Sequence, residues 1–246
     1  MKISAPKIDS ERLKAISKKI FQDKYERMLE DLVELERDNP NDMRIKQKIA
    51  EIHYKKERTP EATSKFEEIA LHYEKEDFTL KAIKAYKNIL KINPSLTEFN
   101  LQLANLFLKL GMTNEAANQY RIAINHYASL GNSDKTVLLS QNLVKIDPSP
   151  DNRAKLAEIY QNFGMTQEAV KQYEILAKHY RLKKDYSKLL HFYELILPHQ
   201  PENTAILKDV CVLHLRNQRP DRVLQLMEHY KTIKDPKFEE LTNKAK

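Results

Sequence analysis

Tryptophan is absent, cysteine occurs once, and glycine occurs three times in this chain. One cysteine, Cys211, excludes an intrachain disulfide. Three scattered glycines, Gly111, Gly131 and Gly164, cannot build a phosphate-cradling loop. No run approaches the roughly 18 apolar residues that a membrane-spanning helix needs. The first residues, MKISAPKIDSERLK, hold no apolar stretch of the kind a secretory leader carries. The expectation is a cytoplasmic chain without a membrane span. Strand signals are also missing: there is no sustained apolar–polar alternation and no Asn-Gly hairpin.

What is present is a period. Pro40, Pro94, Pro148 and Pro201 follow one another at 54, 54 and 53 residues. Ala50, Ala104, Ala157 and Cys211 keep the same step. So do Ala62, Ala116 and Ala169, each followed four residues later by Phe66, Tyr120 or Tyr173. Self-similarity at a fixed period marks a stack of repeated units. Apolar residues within each unit follow the helical step; Leu96, Phe99, Leu103, Leu106, Phe107 and Leu110 are one instance. The pattern predicts helices near 8–21, 24–38, 42–56, 60–76, 79–92, 96–110, 114–129, 134–146, 150–163, 167–182, 186–197, 204–216, 220–232 and 236–244. The glycines fall between helices, where a left-handed residue closes a helix end. Thr59-Pro60 and Ser149-Pro150 read as an N-cap followed by proline in the first turn. Short connections make successive helices antiparallel neighbours.

Each cycle therefore holds three helices. The first carries an apolar residue, a small residue and then an aromatic or histidine: Leu103-Ala104-Phe107, Leu156-Ala157-Tyr160, and in the outer cycles Ile49-Ala50-His53 and Val210-Cys211-His214. Small residues let helix backbones approach and large ones fill the adjoining grooves. At these residues the chain resembles the tetratricopeptide (TPR) repeat family, over about residues 24–232. Leu103-Ala104-Phe107-Gly111-Ala116-Tyr120 fits the family pattern, as does Leu156-Ala157-Tyr160-Gly164-Ala169-Tyr173, and Ala82-Tyr86-Pro94 fits its closing half. The chain departs from the family in lacking tryptophan, in using Ala or Cys for the small glycine, and in a period about 20 residues longer than the family's. The surplus is one further helix, so that helix 60–76 closes one motif and opens the next.

The resemblance implies an all-α, right-handed TPR-like solenoid of about 13–14 antiparallel helices. The expected layout is a loose stretch at 1–8 and one domain over 9–246, with units near 9–40, 41–94, 95–148, 149–201 and 202–246. It also implies a non-enzymatic scaffold or adaptor that docks a protein or peptide partner. The candidate groove positions carried over from the family are Leu101, Asn105, Leu108 and Lys109, then Arg121 and Asn125, then Lys178 and Arg181. Glu98, Asn118 and Lys171 lie at neighbouring groove places. Leu101 and Leu108 serve equally well as core, because a stacked helix has neighbours on both flanks. Some family members clamp a partner's C-terminal carboxylate with Lys and Asn; here those places hold Gln47 and Glu51, then Leu101 and Asn105, so no clamp is expected.

The net charge of +7 fits an acidic partner, although a solvated helical surface is the simpler account. A basic helical-repeat RNA binder is the second reading. Catalytic, cofactor and metal sites are not expected. The His-Tyr pairs at 72–73, 126–127, 179–180 and 229–230 lie a cycle apart, too far to share a metal. Their tyrosines read as packing near helix ends, beside histidines at the helix C-terminal carbonyls. Phe238 and Leu241 give the last helix one apolar side, as a capping helix requires, while Leu13, Ile16, Ile20 and Phe21 make the first helix more apolar and able to meet more than one neighbour.

Overall fold

The computed structural model describes the backbone of residues 10–231 and 235–246, with side chains from residue 23 onward. The expected loose stretch at 1–8 and the side chains of Leu13, Ile16, Ile20 and Phe21 lie outside the described residues. Thirteen α-helices and no strand are found among them. They are α1 (Ser10–Asp38), α2 (Met43–Lys55), α3 (Thr59–Lys75), α4 (Thr79–Ile92), α5 (Glu98–Lys109), α6 (Thr113–Ser129) and α7 (Ser133–Ile146). There follow α8 (Pro150–Asn162), α9 (Thr166–Lys183), α10 (Tyr186–Ile196), a short 3-10 turn (Leu197–His199), α11 (Thr204–Arg216), α12 (Pro220–His229) and α13 (Pro236–Ala245). The architecture is the all-α helical repeat that the periodicity predicts. By contact the chain divides into two compact units, Met1–Ala123 and Ile124–Lys246.

Two helices were expected before residue 40, and one is found. Nothing between Phe21 and Lys24 can stop a helix: the intervening residues are Gln22 and Asp23, with neither Gly nor Pro. The expected caps also differ. Thr59 lies inside α3, with Arg58 at the N-cap, and the Ser149 hydroxyl makes no capping bond to α8.

The reason lies in the turns. Seven of them share one backbone device. A residue with positive φ sits at Glu57, Gly111, Gly164 and Gln218 between first and second helices, and at Asp77, Gly131 and Lys184 between second and third. The next residue's N–H reaches back five residues to the carbonyl of an aromatic or histidine: Arg58 to His53, Phe78 to Tyr73, Met112 to Phe107, Asn132 to Tyr127, Met165 to Tyr160, Asp185 to Tyr180 and Arg219 to His214, at 2.8–3.0 Å. The positive-φ residue itself donates to the carbonyl three residues back, as Gly111 does to Leu108 at 2.9 Å. These two bonds form a Schellman cap, which satisfies carbonyls left open at a helix end. In six of the seven turns the same linking residue then accepts the first bond of the next helix, from Ala62, Ala82, Ala116, Thr136, Ala169 or Leu189. The linking residue is therefore fixed by the turn behind it, which is why Arg58 rather than Thr59 starts α3.

In the first unit α3 packs extensively on both α2 and α4, and α4 packs less extensively on α5. In the second unit α9 holds α8 and α10 in the same way, with looser contacts from α7 to α8 and from α10 to α11. The middle helix of each triplet is thus the shared one. Ala50, Ala62, Ala70 and Ala82 are fully buried in the first unit, beside Phe66 and Tyr86. Leu156, Ala157, Tyr160, Ala169, Tyr173 and Leu176 occupy the same role in the second. Leu103, 1% exposed, is held so closely that truncation to alanine should cost about 2–5 kcal/mol. Ionic contacts add to the docking of α1: Lys65 bridges Glu36 at 2.8 Å and Glu68 at 3.1 Å, and Arg58 reaches Glu26. At the other end Phe238 closes over Leu207, Cys211 and Val223. Burial pushes the Cys211 thiol up to about 11, so it behaves as a small apolar group.

A non-glycine residue in the left-handed region costs roughly 1–2 kcal/mol. Replacing Glu57 or Gln218 with glycine should therefore stabilise the chain, by about 0.5–1 kcal/mol each after the entropy lost from the unfolded state is deducted. A Cβ at Gly111 or Gly164 would meet nothing within 4 Å, so Gly111→Ala should cost only the backbone term, about 1 kcal/mol. Urea unfolding of these variants checks the sign at each turn.

Candidate functional site

The candidate groove positions fall in both units. In the first, Leu101, Asn105 and Leu108 lie at steps of four and three along α5 and share a face. Asn105 is exposed, while Leu101 and Leu108 are half-buried, between the core and surface alternatives. Lys109 points elsewhere and forms an ion pair with Asp77 at the α3–α4 turn. Arg121, on α6, is half-buried. In the second unit Asn125, Lys178 and Arg181 are all exposed.

Lys178 and Arg181 come together. They line an open groove of about 310 Å³ between α9, α10 and α11, with Tyr193, Ile196, Ile206 and Asp209. One wall is built by charge. Arg181 pairs with Asp209 and donates to the Tyr193 hydroxyl, while its guanidinium lies 5.6 Å from the Tyr193 ring centre. Burial raises the Tyr193 hydroxyl above its usual pKa, so it stays protonated. Glu174 lies on the same face of α9 as Lys178 and Arg181 and is held by the Gln200 amide at 2.6 Å. Lys178 makes no ion pair among the described residues, which leaves its ammonium available at the rim.

Polar pairs that the sequence reading did not single out also recur. Asn100 donates to Gln119 at 2.9 Å, and Arg153 to Gln172 at 3.2 Å; both pairs join first to second helix across 19 residues. The common spacing was the signal that could have found them. The Asn100 side-chain oxygen is buried without a hydrogen-bond partner among the described residues.

Six of the eight histidines fall into two sets. His72, His126, His179 and His229 each lie edge-on to the following tyrosine, with ring centres 4.7–5.8 Å apart. Tyr73, Tyr127 and Tyr180 are the residues whose carbonyls close the turns, and Lys81, Lys135 and Lys188 sit 4.6–5.2 Å from their ring centres. No group of three His, Cys, Asp or Glu among the described residues is placed to hold a metal. His53 and His214 differ: they occupy the place of Phe107 and Tyr160, and each buries an Nδ1 that has no hydrogen-bond partner among the described residues. Burial holds both below the usual histidine pKa, although Glu61 and Glu26 near His53 and Glu194 near His214 oppose it. Arg58 and Lys65 near His53, and Arg219 and Arg222 near His214, act in the same direction as burial.

A tetratricopeptide-repeat family model matches residues 155–182, the span of most of α8 and α9. This is the family to which the spacing of Leu156, Ala157, Tyr160, Gly164, Ala169 and Tyr173 points, and the match does not fix the repeat length. Several solved structures are similar. A putative kinesin light chain of Podosopora anserina with nearly identical TPR-like repeats is 17% identical, covering 78% of this chain and 96% of its own, at a TM-score of 0.33. BtubC (BKLC) from P. vanneervenii is 16% identical over 89% of this chain and 90% of its own, with a TM-score of 0.31. A thermophilic TPR protein of Thermus thermophilus is 18% identical over 63% of this chain and 99% of its own, with a TM-score of 0.27. At these scores the likeness carries no argument about this chain. No curated protein matches it.

Neutral in the fold, His53 and His214 take up protons more readily once unfolded. Their contribution is therefore complete above the ordinary value of 6.5 and declines as the pH falls through their lower folded values. The double variant His53→Phe/His214→Phe installs the ring that Phe107 supplies at the same place. Its unfolding midpoint should fall less steeply than the parent's as the pH drops below about 6.5. Equal slopes in a pH series of urea melts would assign the acid sensitivity to other groups.

Proposed function

We propose that this chain, built on tetratricopeptide repeats, is a non-enzymatic scaffold that binds a protein or peptide along its helical surface in the cytoplasm. The observation that carries the reading is the groove of Lys178 and Arg181 between α9, α10 and α11. Its floor is apolar at Ala177, Ile196 and Ile206 and its rim is charged, which suits a segment with alternating apolar and polar side chains. The Arg181–Asp209–Tyr193 set holds the wall rigid, so less ordering is needed on binding. Lys178 is placed to steer an acidic segment toward the groove. On α5, Leu101, Asn105 and Leu108 offer a second contact row of the same kind. The family's members are generally non-catalytic, and the single-domain layout over 9–246 belongs to this reading.

Affinity capture with the full chain, compared by quantitative mass spectrometry with Lys178→Glu and Leu101→Asp, tests it. At least one partner should be retained by the parent and weakened about tenfold or more by Lys178→Glu, the range seen when a contact within an interface is reversed in charge. The chain should not be retained on generic RNA at about 150 mM salt, where phosphate-dominated binding weakens steeply. Retention on RNA, with captured proteins indifferent to both substitutions, would overturn the proposal.

A further inference from the structure

We infer that the exposed face of α4 docks an acidic, amphipathic segment of a partner protein. Carboxylates of that segment meet Lys84, Lys87 and Lys91, and its apolar side chains settle on a hollow formed by Phe78, Leu80 and Leu110. The inference rests on the protein-binding reading and adds to it a surface and a partner chemistry.

Charge is the first ground. α4 contains four lysines, Lys81, Lys84, Lys87 and Lys91, and no acidic residue. Leu80, Lys84, Lys87 and Lys91 fall at steps of four, three and four, one straight stripe about 16 Å long. None of the four lysines makes an ion pair among the described residues, whereas Lys46, Lys65, Lys109 and Lys208 each do. The stripe is an uncompensated row of positive charge on a fixed backbone.

The repeat supplies an internal control. One cycle on, the places of Lys84, Lys87 and Lys91 hold Leu138, Gln141 and Lys145 in α7, and two cycles on they hold His191, Glu194 and Pro198 in α10 and the turn after it. Helix packing therefore does not demand lysine at the places of Lys84 and Lys91. The place of Lys87 meets the ring of the next helix in each triplet: Lys87 lies 5.4 Å from the Phe107 ring centre, Gln141 donates to Tyr160 and Glu194 meets His214. Lys81 differs from Lys84 and Lys91 in that Lys135 and Lys188 repeat it, and all three cover a turn tyrosine.

The hollow is the second ground. Phe78 is 51% exposed, Leu80 69% and Leu110 39%, around a depression of about 520 Å³ bordered by Lys81, Lys109 and Asp77, whose carboxylate Lys109 neutralises. Asn132 and Asp185 stand at the place of Phe78 in the other triplets, and there each side chain caps the following helix by accepting from Lys135 or Lys188. Phe78 makes no such bond. A missing cap costs a helix about 1 kcal/mol, and a ring left half exposed recovers only part of the burial that a core position would give. Leu80 likewise replaces Asp134 and Ser187. In this triplet both replacements stand at the end of the lysine row.

The same neighbours favour a protein over nucleic acid. Lys81 lies 4.6 Å from the Phe78 ring centre and 5.2 Å from that of Tyr73, so the aromatic faces beside the row are already occupied. Leu80 and Leu110 give a base no ring to stack on. The apolar group is also confined to one end of the stripe, unlike the continuous apolar face of a membrane-surface helix.

Fluorescence anisotropy with the full chain and a labelled synthetic helix tests the inference. The probe carries glutamates along one face and two leucines at one end. It should bind; Lys84→Glu/Lys91→Glu should weaken it about tenfold or more, and Leu80→Ser severalfold, whereas Lys84→Arg/Lys91→Arg should retain it. A charge-matched control elsewhere, Lys145→Glu/Lys155→Glu, should leave it unchanged. Circular dichroism melts confirm that each variant folds. Failure of the probe to bind overturns the inference, as does equal binding by the variants or by a probe with serine for leucine. Tighter uptake of an oligouridine or of anionic lipid vesicles through the same lysines also overturns it. If capture through the α9–α11 groove persists while the probe fails, only the α4 surface is lost; if both fail, the broader reading goes with it.

Discussion

Reversal of the chain within three residues is the constraint from which the rest of the structure follows. Each Schellman turn fixes three things together: a left-handed residue, a ring four residues before it whose carbonyl takes the returning N–H, and a linking residue whose own carbonyl starts the next helix. The ring at Phe107 or Tyr160 and the alanine at Ala116 or Ala169 are thereby locked nine residues apart, on opposite arms of one turn. Alanine is small where the arms converge, and the ring fills the space above it. The sequence period is thus the spacing of a backbone device, and the hydrophobic pattern is what that device requires on either side.

A repeated device separates residues that hold the array from residues that do something with it. Whatever recurs at every cycle can be charged to packing: the buried alanines, the turn rings, the His-Tyr edges, and the lysines over the turn tyrosines. What appears once needs another reason. Lys84, Phe78 and Leu80 appear once and sit together. The Arg181–Asp209 wall likewise belongs to a single copy, since the place of Arg181 holds Ala128 one cycle earlier.

Much of this was legible in the sequence. The order and bounds of the helices from α2 onward follow from apolar spacing within a few residues. The merged α1 did not, because a weak polar stretch such as Gln22-Asp23 ends a helix only if packing asks it to. Glycine revealed three of the seven left-handed turns; Glu57, Asp77, Lys184 and Gln218 conceal the other four, although a step of 53 or 54 from the glycines lands on each. For the candidate site, position in the repeat brought Lys178 and Arg181 into one groove but could not show that Arg181 is held by Asp209, a partner 28 residues away. The lysine row of α4 was open to view as a helix without a carboxylate; only the absence of ion pairs around it, among the described residues, gives that composition a meaning.

The departures from the repeat are not spread evenly. His53 with Glu57 and His214 with Gln218 stand in the first and last helix pairs that show the pattern, while Phe107 with Gly111 and Tyr160 with Gly164 stand between them. Both outer pairs combine a strained left-handed side chain with a buried imidazole nitrogen lacking a partner among the described residues, and each feature lowers local stability. An array of nearest-neighbour contacts tolerates such weakness best where a helix pair has fewest neighbours to destabilise. The inner pairs, with glycine at the turn and a ring in place of the imidazole, keep the tighter geometry. Heat and acid should thus loosen the outer pairs before the inner ones, and surfaces borne by α5 and α9 are carried on the most firmly held turns in the chain.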